Sequence, residues 1–302
     1  MTQAQALGRW TSWTSGPAVG ARSRPVRFLV AAGVVAVWWT LGRPLLDLSP
    51  QAFLLLGVPI LLVFQMGIHR RPIRTLWVRS GPALRLDAWL VAIWILLSIF
   101  PAYATATELA HSQWSRAAEF GVAIVGAFGM AYAIRSMRAR TWQQLGLCVL
   151  SVGIVGLGPQ FVSLLLPHVV HIRTAHPLAT APGPVSSIQI AVEWLLISPV
   201  GFVVEEVFFR GGLDTYLHAG EKGFGWPSAV FVSALWGLWH LNVQDLHSAR
   251  LLTTIASLLV SQVLIGVLLS FWWRKSGNLL LSDTAHGLLE AVRNALLGAG
   301  LL

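Results

Sequence analysis

The segment Val204-Glu205-Glu206-Val207-Phe208-Phe209-Arg210 sets two carboxylates and a guanidinium inside a stretch, 188–217, that is otherwise apolar. An ionisable side chain near the middle of a bilayer costs about 2.5 kcal/mol or more, so such residues face a protein interior or a wet cavity and mark function. Residues four apart on a helix share a face, whereas residues five apart turn away from each other, so Glu206 can pair with Arg210 while Glu205 points elsewhere. A paired carboxylate beside a spare one suits a site with one structural and one proton-exchanging acid. Within this one helix, both acids pairing with Arg210 as glue between helices is an equal alternative.

Around that segment, the chain is built for lipid. Of 302 residues, 55% are hydrophobic and only 11% charged, with a mean hydropathy of +0.68, whereas a soluble domain carries roughly 25% charged residues. Apolar stretches lie near 26–46, 52–68, 86–104, 119–134, 144–167, 188–217, 227–243, 252–273 and 278–301. Most approach the ~20 residues that a spanning helix needs, and the second and fourth are short enough to be tilted, kinked or partly re-entrant. Long unbroken apolar runs exclude a barrel, and backbone in lipid must satisfy its own hydrogen bonds. The expected fold is all-α, a polytopic transmembrane helical bundle of eight or nine spans.

The net charge of +9 would suggest nucleic acid in a soluble chain, but here the arginines gather in short connecting segments. Lysine and arginine near helix ends stay in the cytoplasm. With Arg9, Arg22, Arg24 and Arg27 inside, the next inside loops hold Arg70, Arg71, Arg74, Arg79 and Arg85, then Arg135, Arg138 and Arg140, and later Arg274 and Lys275. The opposite loops, 105–118 and 169–187, are much thinner in positive charge. The charge pattern therefore encodes topology, in a multi-pass protein of the cell membrane with a cytoplasmic N-terminus, and the partner it implies is the lipid bilayer, not nucleic acid.

The first 25 residues lack the short apolar core and cleavage site of a signal peptide, so 1–25 is expected as a cytoplasmic N-terminal segment. The single cysteine, Cys148, lies in an apolar stretch, which excludes an internal disulfide and a cysteine-rich metal site and fits core packing. The Pro/Gly-rich segment 175–187 divides the N-terminal transmembrane helices, 26–174, from a C-terminal half, 188–302, that holds the polar residues of interest.

Two more polar interruptions occur there. His240 follows Trp236 by four residues and should share its face, and His286 has Glu290 in the same relation. A histidine beside tryptophans is commonly a satisfied interfacial residue, and Glu290 has an ordinary alternative partner in Arg293. If one helix continues past Gly211 and Gly212 to Leu217 and the next starts near Pro227, Glu205 and His240 lie at similar depth, about 18–20 Å from the shared turn. His286 would sit shallower, and the three groups can converge on one cavity.

The order of EExxxR (Glu205, Glu206, Arg210), aromatic-xxx-His (Trp236, His240) and His-xxx-X (His286, Glu290) resembles the CAAX prenyl protease 2 and bacteriocin-processing family of intramembrane glutamic endopeptidases. The flanking Arg210-Gly211-Gly212-Leu213, Ser233-Ala234-Leu235 and Gly277-Asn278-Leu279-Leu280 agree, and the resemblance covers roughly 188–300. Two positions depart from the pattern: Trp236 stands where the family usually has Phe, and Glu290 where it usually has Asn or Asp. The resemblance implies that Glu205 activates a water with His240 as its partner, that His286 stabilises the tetrahedral oxyanion, and that Glu206, Arg210 and Glu290 belong to the same catalytic set. A deprotonated Glu290 cannot donate a hydrogen bond to an oxyanion. Histidines with carboxylates also form a plausible zinc set, here Glu205, His240 and His286.

These residues make the chain an expected intramembrane endopeptidase, hydrolysing a peptide bond of a membrane-associated protein or peptide. One alternative is a non-catalytic scaffold or bacteriocin-immunity protein of the same fold, for which Glu290 is the best argument. Another is a proton-coupled transporter, which predicts matching polar interruptions in both halves, whereas here they concentrate in one.

Overall fold

The computed structural model describes residues 23–81, 84–165, 189, 191, 192 and 204–298. The 175–187 boundary, the 169–187 loop and nearly all of the 1–25 segment lie outside the described residues. Among the described residues the chain is helical, without a strand; the nearest thing to sheet is an isolated antiparallel bridge between Val78 and Asn278.

Helix α1, Arg24–Thr40, starts with Pro25 in its first turn, where a missing N–H costs nothing. It runs on through a π-helical turn, Leu41–Leu45, that contains Pro44. Helix α2, Pro50–Val63, is capped by the Ser49 side chain, which accepts from the Ala52 N–H, and continues as a π-helical turn, Phe64–His69. The two helices approach closely because Gly57 has no Cβ, which would run into the Trp38 ring. The Trp38 indole then reaches across to donate to the Phe53 carbonyl at 2.8 Å.

A short 3-10 turn, Ile73–Leu76, leads to helix α3, Ala88–Ala110, whose first turn is capped by Asp87 accepting from the Leu90 N–H at 2.9 Å. Helix α4, Trp114–Arg135, folds back along α3, pinned by Trp94 donating to the Ile124 carbonyl. Helix α5, Ala139–Leu165, follows. A helical segment over 204–218, labelled α6, is π-helical through Val207–Asp214 and α-helical at Thr215–His218. The last elements are α7, Trp226–Trp239, a single turn α8, Val243–Leu246, then α9, Leu251–Ser276, ended by Gly277 at φ 66°, and α10, Leu280–Gly298.

Six helices among the described residues are long and apolar enough to cross a membrane: Arg24–Leu45, Pro50–His69, Ala88–Ala110, Trp114–Arg135, Ala139–Pro159 and Leu251–Ser276. The second and fourth, expected as short, are full-length once flanking residues join them. Six is fewer than the expected eight or nine, for reasons visible in the remaining segments. The 227–243 stretch forms a helix of only 14 residues, about 21 Å against a hydrocarbon core of about 30 Å. α10 is long enough but carries Asp283, His286, Glu290 and Arg293, and the stretch 188–217 is described continuously only from Val204.

The architecture places polar helices inside apolar ones. Every residue of α6 from Glu205 to His218 is buried; α6 lies against α1, α2, α7, α9 and the Ile73–Leu76 turn. Lipid gives helices no hydrophobic drive toward one another, so close packing must hold them. Here aromatic rings supply it: Phe208 and Phe209 pack on Trp38 with centroids 4.5 and 6.3 Å away, and Trp239 closes the same cluster at 4.8 Å from Trp38. Such pairs contribute about 0.5–1.5 kcal/mol each beyond the area they bury.

Basic residues from distant parts of the chain meet at one end of the bundle. Arg24 pairs with Glu221 at 3.1 Å, Arg27 donates to the Tyr216 carbonyl, and Arg274 donates through Nε to both oxygens of Asp214 at 3.1 Å. Arg79 reaches His218 Nδ1 at 3.3 Å, and His218 Nε2 donates to the Gly223 carbonyl at 3.1 Å. Burial pushes the Arg79 guanidinium down to about 10. Arg24, Arg27, Arg79 and Arg274, which charge alone assigned to one side of the membrane, are thus gathered at one end.

Candidate active site

The glutamate pair immediately precedes the π-helical stretch, and its two side chains go separate ways, as the spacing predicts. Glu206, fully buried, faces Arg210, with Oε2 3.6 Å from Nε, an ion-pair distance longer than a hydrogen bond. Its other oxygen, Oε1, accepts from His286 Nδ1 at 3.1 Å. Arg210 is also fully buried; its Nη1 donates to Ser270 Oγ on α9 at 3.4 Å, and its guanidinium lies 5.1 Å from the centre of the Trp236 ring. Taking a carboxylate and a guanidinium out of water costs several kcal/mol per ion unless each finds partners, and removing one leaves the other stranded. Glu206, Arg210 and His286 therefore depend on one another.

Glu205 turns toward α7. Its Oε2 accepts from the Trp236 indole N–H at 3.0 Å and lies 3.9 Å from His240 Nε2. His240 does not continue a helix toward residue 243 as the apolar stretch suggests. It is the residue that ends α7, with its N–H turned back to the Gly237 carbonyl at 3.1 Å. Its Nδ1 lies 2.8 Å from the Trp236 carbonyl oxygen, and because a carbonyl only accepts, Nδ1 carries the proton. In the neutral ring, Nε2 therefore presents its lone pair toward Glu205. The His240 side chain is 31% exposed, whereas that of Glu205 is 12%, so the acid is sheltered and the imidazole is reachable from outside.

Trp236 sits between the two histidines, edge-on to His240 at 5.4 Å and to His286 at 5.1 Å. The structure thus brings five of the six sequence-nominated residues, Glu205, Glu206, Arg210, His240 and His286, around one indole. The sixth has its carboxylate on another partner. Glu290, one turn beyond His286, spends its carboxylate on Arg293 three residues away, the alternative partner that the sequence offers.

Among the described residues, no three His, Cys, Asp or Glu side chains are gathered so as to hold a metal ion. His286 faces Glu206, and His240 faces Glu205. The zinc set Glu205, His240 and His286 therefore does not fit this geometry, because the two histidines address different carboxylates.

Residues 187–292 match the family model described as Type II CAAX prenyl endopeptidase Rce1-like. The Rce1-like region holds Glu205, Glu206, Arg210, Trp236, His240, His286 and Glu290, and is the family that the motif order resembles. It supports an intramembrane endopeptidase of the CAAX protease type, and with the six apolar helices a multi-pass membrane protein. No curated protein and no solved structure matches the chain.

Sequence reasoning misses one contributor to this site. Ser270 lies in the apolar α9 and shows no signal beyond being a small hydroxyl residue. Trp236 is placed by the motif as an aromatic, and its indole N–H adds a donor one turn from His240.

Proposed function

We propose that this chain is an intramembrane endopeptidase in which Glu205 activates a water for attack on a peptide bond of a membrane-associated protein or peptide. The observation that carries this reading is the facing of Glu205 Oε2 and His240 Nε2 at 3.9 Å, the imidazole tautomer being set by the Trp236 carbonyl. That gap is longer than a direct hydrogen bond and short enough for one water to bridge. Glu205 takes a proton from that water as its oxygen bonds to the carbonyl carbon, with His240 orienting the water through Nε2. His286, protonated at both ring nitrogens with Glu206 accepting from its Nδ1–H, stabilises through Nε2–H the oxyanion that forms. As the C–N bond breaks, the proton held by Glu205 passes to the departing amine nitrogen.

In this reading 188–302 is the catalytic unit, 26–174 a helical frame around it, and the basic end of the bundle faces the cytoplasm with the 1–25 segment. The test is cleavage, in detergent, of internally quenched peptides that carry a single transmembrane segment. Loss of a general base or its partner typically costs about 10²–10⁴-fold, so Glu205→Ala and His240→Ala should both fall by that order, with no effect of a chelator. Equal cleavage by wild type and both variants would remove Glu205 from this role. Loss on chelation would restore the metal reading. The non-catalytic scaffold reading, which Glu290's engagement with Arg293 favours, predicts no cleavage by any of the three.

A further inference from the structure

We infer that Trp236 is a positioning residue for the water-activating carboxylate: its indole N–H fixes the oxygen of Glu205 that faces His240. The inference rests on the reading of Glu205 given above and goes beyond it, because the matching position in the resembled motif is usually Phe, which has no donor.

Three observations carry it. First, the acceptor is specific: Nε1 donates at 3.0 Å to Oε2, the same oxygen that lies 3.9 Å from His240 Nε2. Second, the donor is itself immobilised, since Trp236 is 2% exposed and its ring is held by the Arg210 guanidinium at 5.1 Å and by His286 at 5.1 Å. Third, one residue sets both halves of the pair, for the Trp236 carbonyl accepts from His240 Nδ1 at 2.8 Å while its side chain donates to Glu205. A carboxylate otherwise rotates about its terminal bond, and a buried donor aimed at one oxygen removes that freedom. Phenylalanine would keep the ring contacts and lose the aim.

The first measurement needs no substrate. In the detergent-solubilised full chain labelled with ¹⁵N-tryptophan, the indole resonance that disappears in Trp236→Phe is that of Trp236. Glu205→Ala should move it, as expected on losing a charged acceptor, while Gln113→Ala leaves it in place. An unmoved resonance in Glu205→Ala overturns the inference. The second measurement is kinetic, on the quenched transmembrane peptide. Losing a hydrogen bond to a charged group should lower kcat of Trp236→Phe about ten- to a hundredfold, with KM within about twofold of wild type. Glu205→Gln and Glu205→Gln/Trp236→Phe should bind the peptide equally, because the indole acts through the acid and not on the substrate. An unchanged kcat in Trp236→Phe, or a raised KM with kcat intact, overturns the inference while leaving Glu205 in its role if Glu205→Gln is inactive. If Glu205→Gln cleaves like wild type, the water-activating reading falls and this inference falls with it.

Discussion

At the scale of single residues, adjacent glutamates acquire different duties through what each touches. Glu206 has no exposed surface and is held by Arg210 and His286, so it anchors the site, whereas Glu205 keeps a modest opening toward the half-exposed His240. The same reasoning separates Glu290 from the group. Its carboxylate is engaged by Arg293, and it stands where relatives of the resembled motif usually have Asn or Asp. Glu290→Asn should therefore leave peptide cleavage within about threefold of wild type, and Arg293→Gln likewise, since a part-exposed pair contributes about 1 kcal/mol or less. A hundredfold loss in Glu290→Asn would return that carboxylate to the chemistry. The sequence disclosed the divergence of Glu205 and Glu206 from spacing alone, because facing on a helix is a local property. It did not disclose which atoms Glu205 meets, because those belong to a helix some thirty residues on.

At the scale of elements, α6 departs from the α-helix that the apolar pattern suggests. Its π-helical stretch, Val207–Asp214, puts Arg210 within 3.6 Å of Glu206 and lets Thr215 Oγ1 donate to the Arg210 carbonyl at 3.2 Å. π-Helical turns recur at functional sites, and side-chain periodicity does not reveal them, since inserting one residue alters only the local phase. Gly211 shows how tightly this stretch is enclosed: a Cβ there would run into the carbonyl of Leu76, in the Ile73–Leu76 turn. A backbone atom cannot rotate aside as a side chain can. Gly211→Ala should thus destabilise the protein by about 1–3 kcal/mol, seen as a lower Tm in detergent, and an unchanged Tm would mean that the turn yields freely. The short α7 carries the opposite lesson. Its hydrophobicity suggested a longer helix through His240, but the chain turns there, and the histidine gains its role from ending the helix.

At the scale of the whole molecule, the bundle wraps polar α6 and the polar N-terminal half of α10 in apolar neighbours and collects Arg24, Arg27, Arg79 and Arg274 at one end. The proposed orientation is open to a direct test, because the single native cysteine, Cys148, is fully buried and silent to labelling. In intact cells a membrane-impermeant maleimide should label Gln113→Cys and Ser248→Cys, and reach Ser80→Cys only after permeabilisation. The reverse pattern would invert the topology. Composition and the placement of arginine were enough to establish a helical membrane bundle, because hydrocarbon accepts few other structures. Motif order was enough to nominate the site residues and their family, because chemistry needs those groups in a few fixed relations. The separate carboxylates that His240 and His286 face, and the indole that joins Glu205 to His240, were decided only by tertiary packing. Each depends on how far apart side chains on different helices come to rest, and that distance is set by the interlocking of whole surfaces such as Trp38, Phe208, Phe209 and Trp239, which no local pattern encodes.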